Sequence, residues 1–423
     1  MRAHPWSRPL MLAAVLMMAI PIGLAEAGVS EPPALETSCS ERAGPMAALL
    51  PAFRPIATAQ VSLSLRLLDL AFRKAGTIRT DASGSHPTAT LAPASLAAVL
   101  SALEIGADKP MKAAILRTLA TGTEAFSIND LRAAFRLQSL RRNKGPLHQA
   151  EALFVDEAID LRPGIADRVR ADLGIPVERV AFAGNGIATI NDFVSEATRG
   201  RIPAILDGSA RNAGLVAINA LSFKDCWQLA FDPAETRSRP FRSLKATSEV
   251  PMMHASEMEL RLAHQGELVA AELPYRSGDY VLTLVTTTDK PAALARFTRN
   301  DEVAKLLAGA FKSQAVDLSL PTFQAANDQD LLPHLRALGL KRGLGSPTSL
   351  AGFAEDLALS QIQQKTMIDV NEAGTEAAAA TAGMASRAAD TKPMPLAFDR
   401  PFLFLLRHAA TGLVIMAGFY AEP

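Results

Sequence analysis

Residues 371–390 read NEAGTEAAAATAGMASRAAD and lie between a strand-like segment and a dense apolar one. Alanine has the highest helix propensity, but Gly374 and Gly383 bracket the run and no apolar face repeats at helical spacing. In an extended chain alternate residues share a face, and here one face carries only small uncharged side chains: Thr375, Ala377, Ala379 and Thr381. Such a face is compatible with burial in a β-sheet. An Ala/Gly/Ser-rich linker is the alternative interpretation.

Both flanks of this stretch predict β-structure. On its N-terminal side, alternate residues form one face of a strand: Ile362, Gln364, Thr366, Ile368 and Val370. On its C-terminal side, apolar segments at residues 402–406 and 413–419 predict a hairpin around the turn at residues 410–412. The stretch therefore connects two predicted strand regions.

Elsewhere the predicted helices fall mainly in the first half of the chain and the predicted strands in the second. Helical periodicity indicates helices at residues 61–75, 93–106, 128–142, 190–197 and 331–338. Strand patterns occupy residues 214–223, 267–288 and 316–320. This separation indicates an α+β fold. The length of 423 residues by itself suggests two or three domains.

The composition indicates a globular protein without nucleic acid as a bulk partner. Apolar residues make up 49% and charged residues 20%, which excludes a disordered chain. Basic and acidic residues both number 43, so no net charge attracts nucleic acid. Basic residues do cluster towards the end of the predicted 128–142 helix: Arg132, Arg136, Arg141, Arg142 and Lys144. We interpret this cluster as a solvated face that compensates the helix dipole, with a polyanion site as the alternative.

The N-terminus has the features of a secretory signal peptide. Arg2 and Arg8 give a positive start, residues 9–24 are nearly all apolar, and residues 25–27 form a small-x-small cleavage site. The apolar run is short for a membrane-spanning helix. We therefore expect cleavage after Ala27 and export to the periplasm or the extracellular space. The proline-containing residues 28–58 are predicted to form a loose mature N-terminus.

The sequence contains two cysteines, Cys39 in the proline-containing leader and Cys226 beside Trp227. An oxidising compartment permits a disulfide between them, but two cysteines do not constitute a disulfide framework. We expect Cys226 to pack as a buried free thiol, with the 39–226 disulfide as the alternative.

No motif in the sequence indicates an enzyme. The Gly-x-Ser-x-Gly, His-Glu-x-x-His and Walker patterns are absent, as is Gly-x-Gly-x-x-Gly in a strand–helix setting. The histidines are scattered and fit no metal-ligand spacing: His4, His86, His148, His254, His264, His334 and His408. We therefore predict neither a catalytic site nor a bound metal or other cofactor.

The opening stretch resembles the hinge of the serpins, the serine-protease-inhibitor superfamily, whose pattern runs Glu-x-Gly-Thr-Glu-Ala-Ala-Ala-Ala-Thr. The residues that match this pattern are Glu372, Gly374, Thr375, Glu376, Ala377, Ala378, Ala379, Ala380 and Thr381. Residues 398–404, FDRPFLF, resemble the C-terminal signature of the family, and Met416-Ala417-Gly418 falls where the family has a Met-Gly pair. Two long motifs in the right order make the resemblance specific.

Further matches extend the resemblance over about residues 60–423. Pro93 and Ser95 resemble the start of the shutter helix, and residues 219–224 with Trp227 resemble the strand that carries the shutter Asn219 and the breach tryptophan. The chain departs from the family at two shutter positions, where it has Gln364 for histidine and Ala92 for serine. The replacement puts the usual hydrogen-bond network in question, although the amide of Gln364 is able to bond Asn219.

The resemblance implies a fold and a function. The fold is a single serpin domain with three β-sheets, about nine helices and an exposed reactive-centre loop at about residues 372–397. The function is suicide-substrate inhibition, in which the cleaved loop inserts as a strand into the central sheet and traps the acyl-enzyme. A non-inhibitory serpin that acts as a carrier, chaperone or storage protein is the alternative.

The family spacing from Gly374 implies a scissile bond at Ala388–Ala389, which suits an elastase- or subtilisin-like protease. A shift by one residue gives Arg387–Ala388, which suits a trypsin-like enzyme. Met384 or a bond after Ala389 is a further alternative. The implied partner is a serine protease, with no nucleic acid or membrane, and the protein is expected to be a monomer.

Overall fold

A computed structural model describes residues 46–73, 89–119, 126–139, 145–288, 290–340, 348–375 and 392–423, all within the compact unit Ser38–Pro423. The α-helices of these residues are α1 Arg54–Arg73, α2 Pro93–Gly106, α3 Lys109–Leu119, α4 Ile128–Ser139, α5 Ile165–Leu173, α6 Gly186–Ala197, α7 Leu294–Phe297, α8 Glu302–Ala308 and α9 Leu332–Ala337. The described part of the chain thus holds nine α-helices.

The strands are β1 Ala89–Leu91, β2 Leu147–Asp156, β3 Val177–Val180, β4 Leu215–Phe223, β5 Asp225–Cys226, β6 Arg237–Arg242, β7 Thr247–Gln265, β8 Leu268–Pro274, β9 Tyr280–Thr287, β10 Lys312–Pro321, β11 Phe323–Asp330, β12 Leu359–Asn371, β13 Gly374–Thr375, β14 Met394–Ala397, β15 Phe402–His408 and β16 Val414–Tyr420. They form two hydrogen-bonded sheets, one of nine strands and one of seven. The α+β class predicted from the sequence is confirmed.

The seven-stranded sheet is called the central sheet here, and it has the order β3-β2-β4-β12. β11 pairs with the other edge of β12, while β13 and β5 extend the sheet beyond the end of β4. β4 and β12 run parallel to each other, with Asn219 opposite Gln364 and Ser222 opposite Met367. The two middle strands therefore bond directly to each other.

The nine-stranded sheet runs β1-β16-β15-β9-β8-β7-β10-β14, with β6 also paired to β7. Its strand β7 is 19 residues long, and its first part pairs with β6 while its last part pairs with β8. The family resemblance implied three sheets. Hydrogen bonding through β7 and β10 joins two of these into one continuous sheet.

The two faces of the central sheet cover different cores. The inner face packs against the fully buried helix α2 and contributes Leu221 and Phe223 to the main apolar core. The outer face lies under α6, where Ile218 and Ala220 form a second apolar cluster with Ile190. Alternation along β4 therefore assigns each residue to a known side of the sheet.

The sequence predicted some elements better than others. α2 has the predicted bounds of 93–106. α1 begins at Arg54 instead of residue 61, because the buried Ile56 and Ala59 continue its apolar stripe towards the N-terminus. β2 was missed because both of its faces are buried, with polar side chains such as Gln149 and Glu151 among them, so the strand shows no simple alternation.

Candidate functional site

The predicted hinge enters the central sheet at its first two residues. β13 lies between β12 and β5, so that Thr375 pairs with Val370 on one side and with Asp225 on the other. The remaining predicted hinge residues, Glu376, Ala377, Ala378, Ala379, Ala380 and Thr381, lie outside the described residues. So do both candidate scissile bonds, formed by Arg387, Ala388 and Ala389.

Gly374 occupies a position that only glycine fits. Its φ is +154°, and an added Cβ would lie 2.2 Å from the carbonyl oxygen of Asp225 and 2.6 Å from the Cα of Cys226. Both contacts are with backbone atoms, so a side chain could not be accommodated by a rotamer change. The glycine therefore allows β13 to pair closely with β5.

Thr375 is fully buried on the inner face of the sheet. Its hydroxyl lies 2.6 Å from the hydroxyl of Tyr275, and the two form a hydrogen bond. The Tyr275 ring stacks on Trp227 at a centroid distance of 4.5 Å and contacts Phe223 edge-on. Burial raises the pKa of Tyr275 far above its ordinary value, so the phenol stays neutral and able to donate.

Trp227 also binds the chain that leads into the hinge. Its indole Nε1 donates to the carbonyl oxygen of Asn371 at 2.9 Å. Its backbone N–H donates to the carbonyl oxygen of Ala373 at 3.0 Å. The carboxylate of Glu372 accepts a hydrogen bond from Thr236 at 2.7 Å. Trp227 and Glu372 therefore each make specific contacts at the segment that leads into the predicted hinge.

Asp225 is the buried acidic group of this site, and the sequence did not single it out. Its carboxylate accepts hydrogen bonds from the backbone N–H groups of Cys226 at 2.9 Å and Ser277 at 3.3 Å. Burial raises its pKa to about 6. The sequence signal was available, because a lone acid lies two residues after the apolar strand 214–223 and two before Trp227.

Cys226 corrects one expectation. It is disulfide-bonded instead of a free thiol, and it is 2% exposed. The only other cysteine of the chain is Cys39, which lies outside the described residues. The free-thiol expectation failed because the spacing of cysteines in a sequence does not report which segments meet in the fold.

The predicted shutter residues lie under the middle of the central sheet. Gln364 does not bond Asn219; its side-chain oxygen accepts from the backbone N–H of Ala92 at 2.9 Å, and its amide nitrogen donates to the Ala92 carbonyl at 3.2 Å. The hydroxyl of Ser95 accepts from Gln149 at 2.7 Å. Neither side-chain oxygen nor nitrogen of the buried Asn219 has a hydrogen-bond partner within the described chain.

The basic residues of α4 are engaged in ion pairs. Arg132 binds Glu104 at 2.7 Å, and Arg136 lies 3.6 Å from Asp172. Arg136 also donates to the backbone carbonyls of residues 171 and 172, at the C-terminus of α5. Arg136 therefore lies in the last turn of its own helix, as predicted, and also binds the C-terminal carbonyls of α5. Arg141, Arg142 and Lys144 lie outside the described residues.

The described residues contain no membrane-spanning helix and no metal-binding group. No helix there combines the length and the apolar character needed to cross a membrane. In the same part of the chain, no three His, Cys, Asp or Glu side chains converge as a metal-binding group.

Comparison with known proteins agrees with this geometry. The family model Serpin (serine protease inhibitor) matches residues 68–423. Serpin B9 of Homo sapiens is 30% identical over 351 residues, which cover 78% of this chain and 92% of the relative. The leukocyte elastase inhibitor of Sus scrofa is 27% identical over 353 residues, which cover 79% and 92% respectively.

A solved structure gives the same result for the fold. The crystal structure of Serpin48 from the insect Tenebrio molitor matches with a TM-score of 0.71 and 24% sequence identity. The match covers 87% of this chain and 97% of that one. The chain therefore belongs to the serpin family.

Proposed function

We propose that this protein is a suicide-substrate inhibitor of serine proteases. The observation that carries the proposal is β13, because Gly374 and Thr375 are already paired as a strand where β4 and β12 diverge. The hinge is small and uncharged on the face that enters the core, as insertion requires. Non-inhibitory carriers have no need for a hinge with this composition.

The observed register defines where further residues would pair. Thr375 lies opposite Asp225 and Val370. If the antiparallel register continues, Thr381 lies opposite Asn219 on β4 and Gln364 on β12. These two residues are direct neighbours in the present sheet, so the new strand must separate them. The Thr381 hydroxyl would then be available to the buried Asn219 amide, which has no hydrogen-bond partner in the described residues.

The chemistry follows from this geometry. The protease serine attacks the carbonyl carbon of the residue before the scissile bond and forms an acyl-enzyme ester, and the leaving amine departs with the C-terminal segment. The freed loop then inserts between β4 and β12. On the order of ten new ladder hydrogen bonds at about 1 kcal/mol each would favour insertion by roughly 10 kcal/mol. That is comparable with the stability of a whole domain.

The target is proposed to be an elastase- or subtilisin-like protease that cleaves Ala388–Ala389. The relative named leukocyte elastase inhibitor supports this class. Cleavage at Arg387–Ala388 by a trypsin-like protease is the alternative, since a basic residue there suits an acidic specificity pocket. We further propose that the protein acts as a monomer after export and removal of residues 1–27. The disulfide of Cys226 fits an oxidising compartment.

The proposal is tested with a panel of serine proteases and the protein from residue 28 onward. An inhibitor gives an SDS-resistant covalent band with at least one protease, and mass spectrometry of the released C-terminal peptide identifies the scissile bond. Clean cleavage of the loop by every protease, without a covalent band, would overturn the proposal and favour the non-inhibitory class.

A further inference from the structure

A group of basic side chains lies on the outer face of the central sheet, at the end where β13 is paired. It is called the outer basic cluster and consists of His148, Arg199, Arg201 and Lys224. His148 is on β2, directly across from Ser222 on β4. Burial lowers the pKa of His148 to about 4, and the positive charges of Arg199, Arg201 and Lys224 contribute to this lowering. Lys224 directly follows β4, and Arg199 and Arg201 follow α6, which covers this face of the sheet, so the three cations come from the elements that surround His148.

Two buried groups in this place lack hydrogen bonds. His148 is 4% exposed and Ser222 is fully buried. The ring Nδ1 of His148 and the hydroxyl of Ser222 have no partner among the residues that the structure describes. Since buried polar groups are nearly always hydrogen-bonded, the place is suited to a ligand with acceptor oxygens and negative charge.

The residue that follows β13 is Glu376. Side chains alternate along a strand, and Thr375 points to the inner face, where it bonds Tyr275. If the register of β13 continues by one residue on insertion, Glu376 would lie opposite Lys224, with its side chain on the outer face. On its other side it would face Asp369, a half-buried carboxylate that accepts a hydrogen bond from Gln324 at 2.9 Å. The carboxylate of Glu376 would thus be near three positive charges and one negative charge, that of Asp369.

The outer face also matches the hinge beyond this point. The outer-face hinge residues after Glu376 are Ala378, Ala380 and Ala382, and in the continued register they meet Ser222, Ala220 and Ile218. Of these positions, Ala220 and Ile218 lie in the apolar cluster under α6, whereas Ser222 lies opposite His148. On insertion the charged hinge residue would therefore face the cations, and Ala380 and Ala382 would face the apolar cluster.

We infer that the outer basic cluster is the receptor for the carboxylate of Glu376, and that this ion pair is the first contact made as the loop advances beyond Thr375. The inference rests on the strand insertion of the proposed function. It adds a specific binding site and an order of events, because the charged contact forms before any alanine passes under α6.

His148 is a built-in reporter of this contact. Its imidazole pKa is measured by NMR on histidine-labelled protein, in the intact form and after proteolytic cleavage of the loop, with His148→Gln used for assignment. A carboxylate that approaches within about 4–6 Å raises a histidine pKa by about one pH unit or more. We expect this rise in the cleaved protein and its absence in cleaved Glu376→Gln. Glu355→Gln, which neutralises an exposed carboxylate, is the matched control and should retain the rise.

A double-mutant cycle tests the ion pair directly. Glu376→Gln and Lys224→Gln are each expected to slow loop insertion by about fivefold, whereas the double variant should be no slower than either single variant. Lys245→Gln removes an exposed lysine that pairs with Glu422, and it should not change the insertion rate. Additive effects of the two substitutions would contradict the inference.

The outcomes separate the inference from the proposed function. If covalent protease complexes form but the pKa of His148 is the same before and after cleavage, the inference fails and inhibition stands. If no complex forms but cleavage raises both the melting temperature and the pKa of His148, the inhibitory function fails and the receptor stands. If cleavage raises neither quantity, the loop does not insert and both are overturned.

Discussion

The hydroxyl of Tyr275 lies 2.6 Å from that of Thr375, although the two residues are 100 positions apart in the chain. The bond is buried and fastens the first inward-facing residue of the hinge to the aromatic stack of Trp227 and Phe223. Leaving one of these hydroxyls unpaired costs about 1 kcal/mol or more. The start of the hinge is thus held at a defined position, from which the proposed insertion would begin.

Tyr275→Phe should loosen this starting point. The variant leaves the Thr375 hydroxyl buried without its partner, so we expect the free energy of unfolding to fall by about 1 kcal/mol. The equilibrium between β13 paired with β5 and β13 released from it should shift about fivefold towards release. The fluorescence of Trp227 should change with the hinge, because Trp227 is the only tryptophan after residue 27. Tyr420→Phe alters a buried tyrosine of the other sheet and should leave the Trp227 signal unchanged. An unchanged Trp227 signal in Tyr275→Phe would contradict this account.

Thr375→Arg should convert the inhibitor into a substrate. Because Thr375 is fully buried beside Tyr275, an arginine there would keep β13 out of the sheet, and insertion would have to bury the charge at a penalty of roughly several kcal/mol. The gel assay should show cleaved protein in place of the covalent complex, while the circular dichroism spectrum stays native. Thr375→Ser keeps the hydroxyl and should still form complexes. A full yield of complexes from Thr375→Arg would disprove insertion at this point.

Thr381→Val should act on the cleaved form alone. In the continued register the Thr381 hydroxyl meets Asn219, so its loss would remove about 1 kcal/mol from the inserted state. We expect a lower melting temperature for the cleaved variant and an unchanged one for the intact variant. Thr381→Ser serves as the control that keeps the hydroxyl. Equal effects on the intact and cleaved forms would show that Thr381 does not reach Asn219.

Asp225 and His148 are both buried, and their titrations should change the stability of the protein in opposite directions as the pH rises. Burial raises the pKa of Asp225 from 3.8 to about 6, so the native state holds this proton more tightly and its contribution to stability falls as the pH rises from about 4 to 6. The pKa of His148 is lowered from 6.5 to about 4, so its contribution is present above pH 6.5 and is lost as the pH falls towards 4.

The two contributions are separable by substitution. Asp225→Asn should remove the loss of stability that accompanies ionisation of Asp225. The melting temperature of this variant should therefore rise more steeply from pH 4 to 6.5 than that of the wild type. His148→Gln should instead have a melting temperature that falls as the pH rises over the same interval. The effect of Asp225 on the free energy of unfolding is at most about 3 kcal/mol, because each pH unit between the folded and unfolded pKa values corresponds to about 1.4 kcal/mol. Parallel pH curves for wild type and Asp225→Asn would show that Asp225 does not titrate differently in the native state.

The disulfide of Cys226 should join it to Cys39. Peptide mapping without reductant is expected to recover one cross-linked pair, which separates on reduction. Cys39→Ser should destabilise the protein by about 4 kcal/mol, because closing a long loop restricts the unfolded chain. A reductant should lower the melting temperature of the wild type towards that of Cys39→Ser and leave the variant unchanged. Recovery of Cys39 as a free thiol without reduction would contradict this pairing.

Helix α2 and strand β12 show why local patterns succeeded. α2 starts at a proline suited to a first turn and is apolar along its length, so its bounds followed from its own residues. β12 alternates between buried and half-buried residues over most of its length, as the strand pattern predicted. β2 and β7 were not predicted as strands. β2 is buried on both faces, and β7 passes through two halves of a sheet. Both features are set by neighbouring strands and not by the local sequence.

The sequence by itself determined the α+β class and the family, and it predicted the hinge, because small residues at period two and a glycine at position 374 are local constraints that a strand entering a packed sheet must satisfy. Only the tertiary structure decided that Thr375 bonds Tyr275, that Gln364 binds the backbone of Ala92 and leaves Asn219 unsatisfied within the described residues, and that Cys226 is disulfide-bonded. These contacts join segments far apart in the chain, and their burial, pairing and pKa values depend on which surfaces the fold brings together.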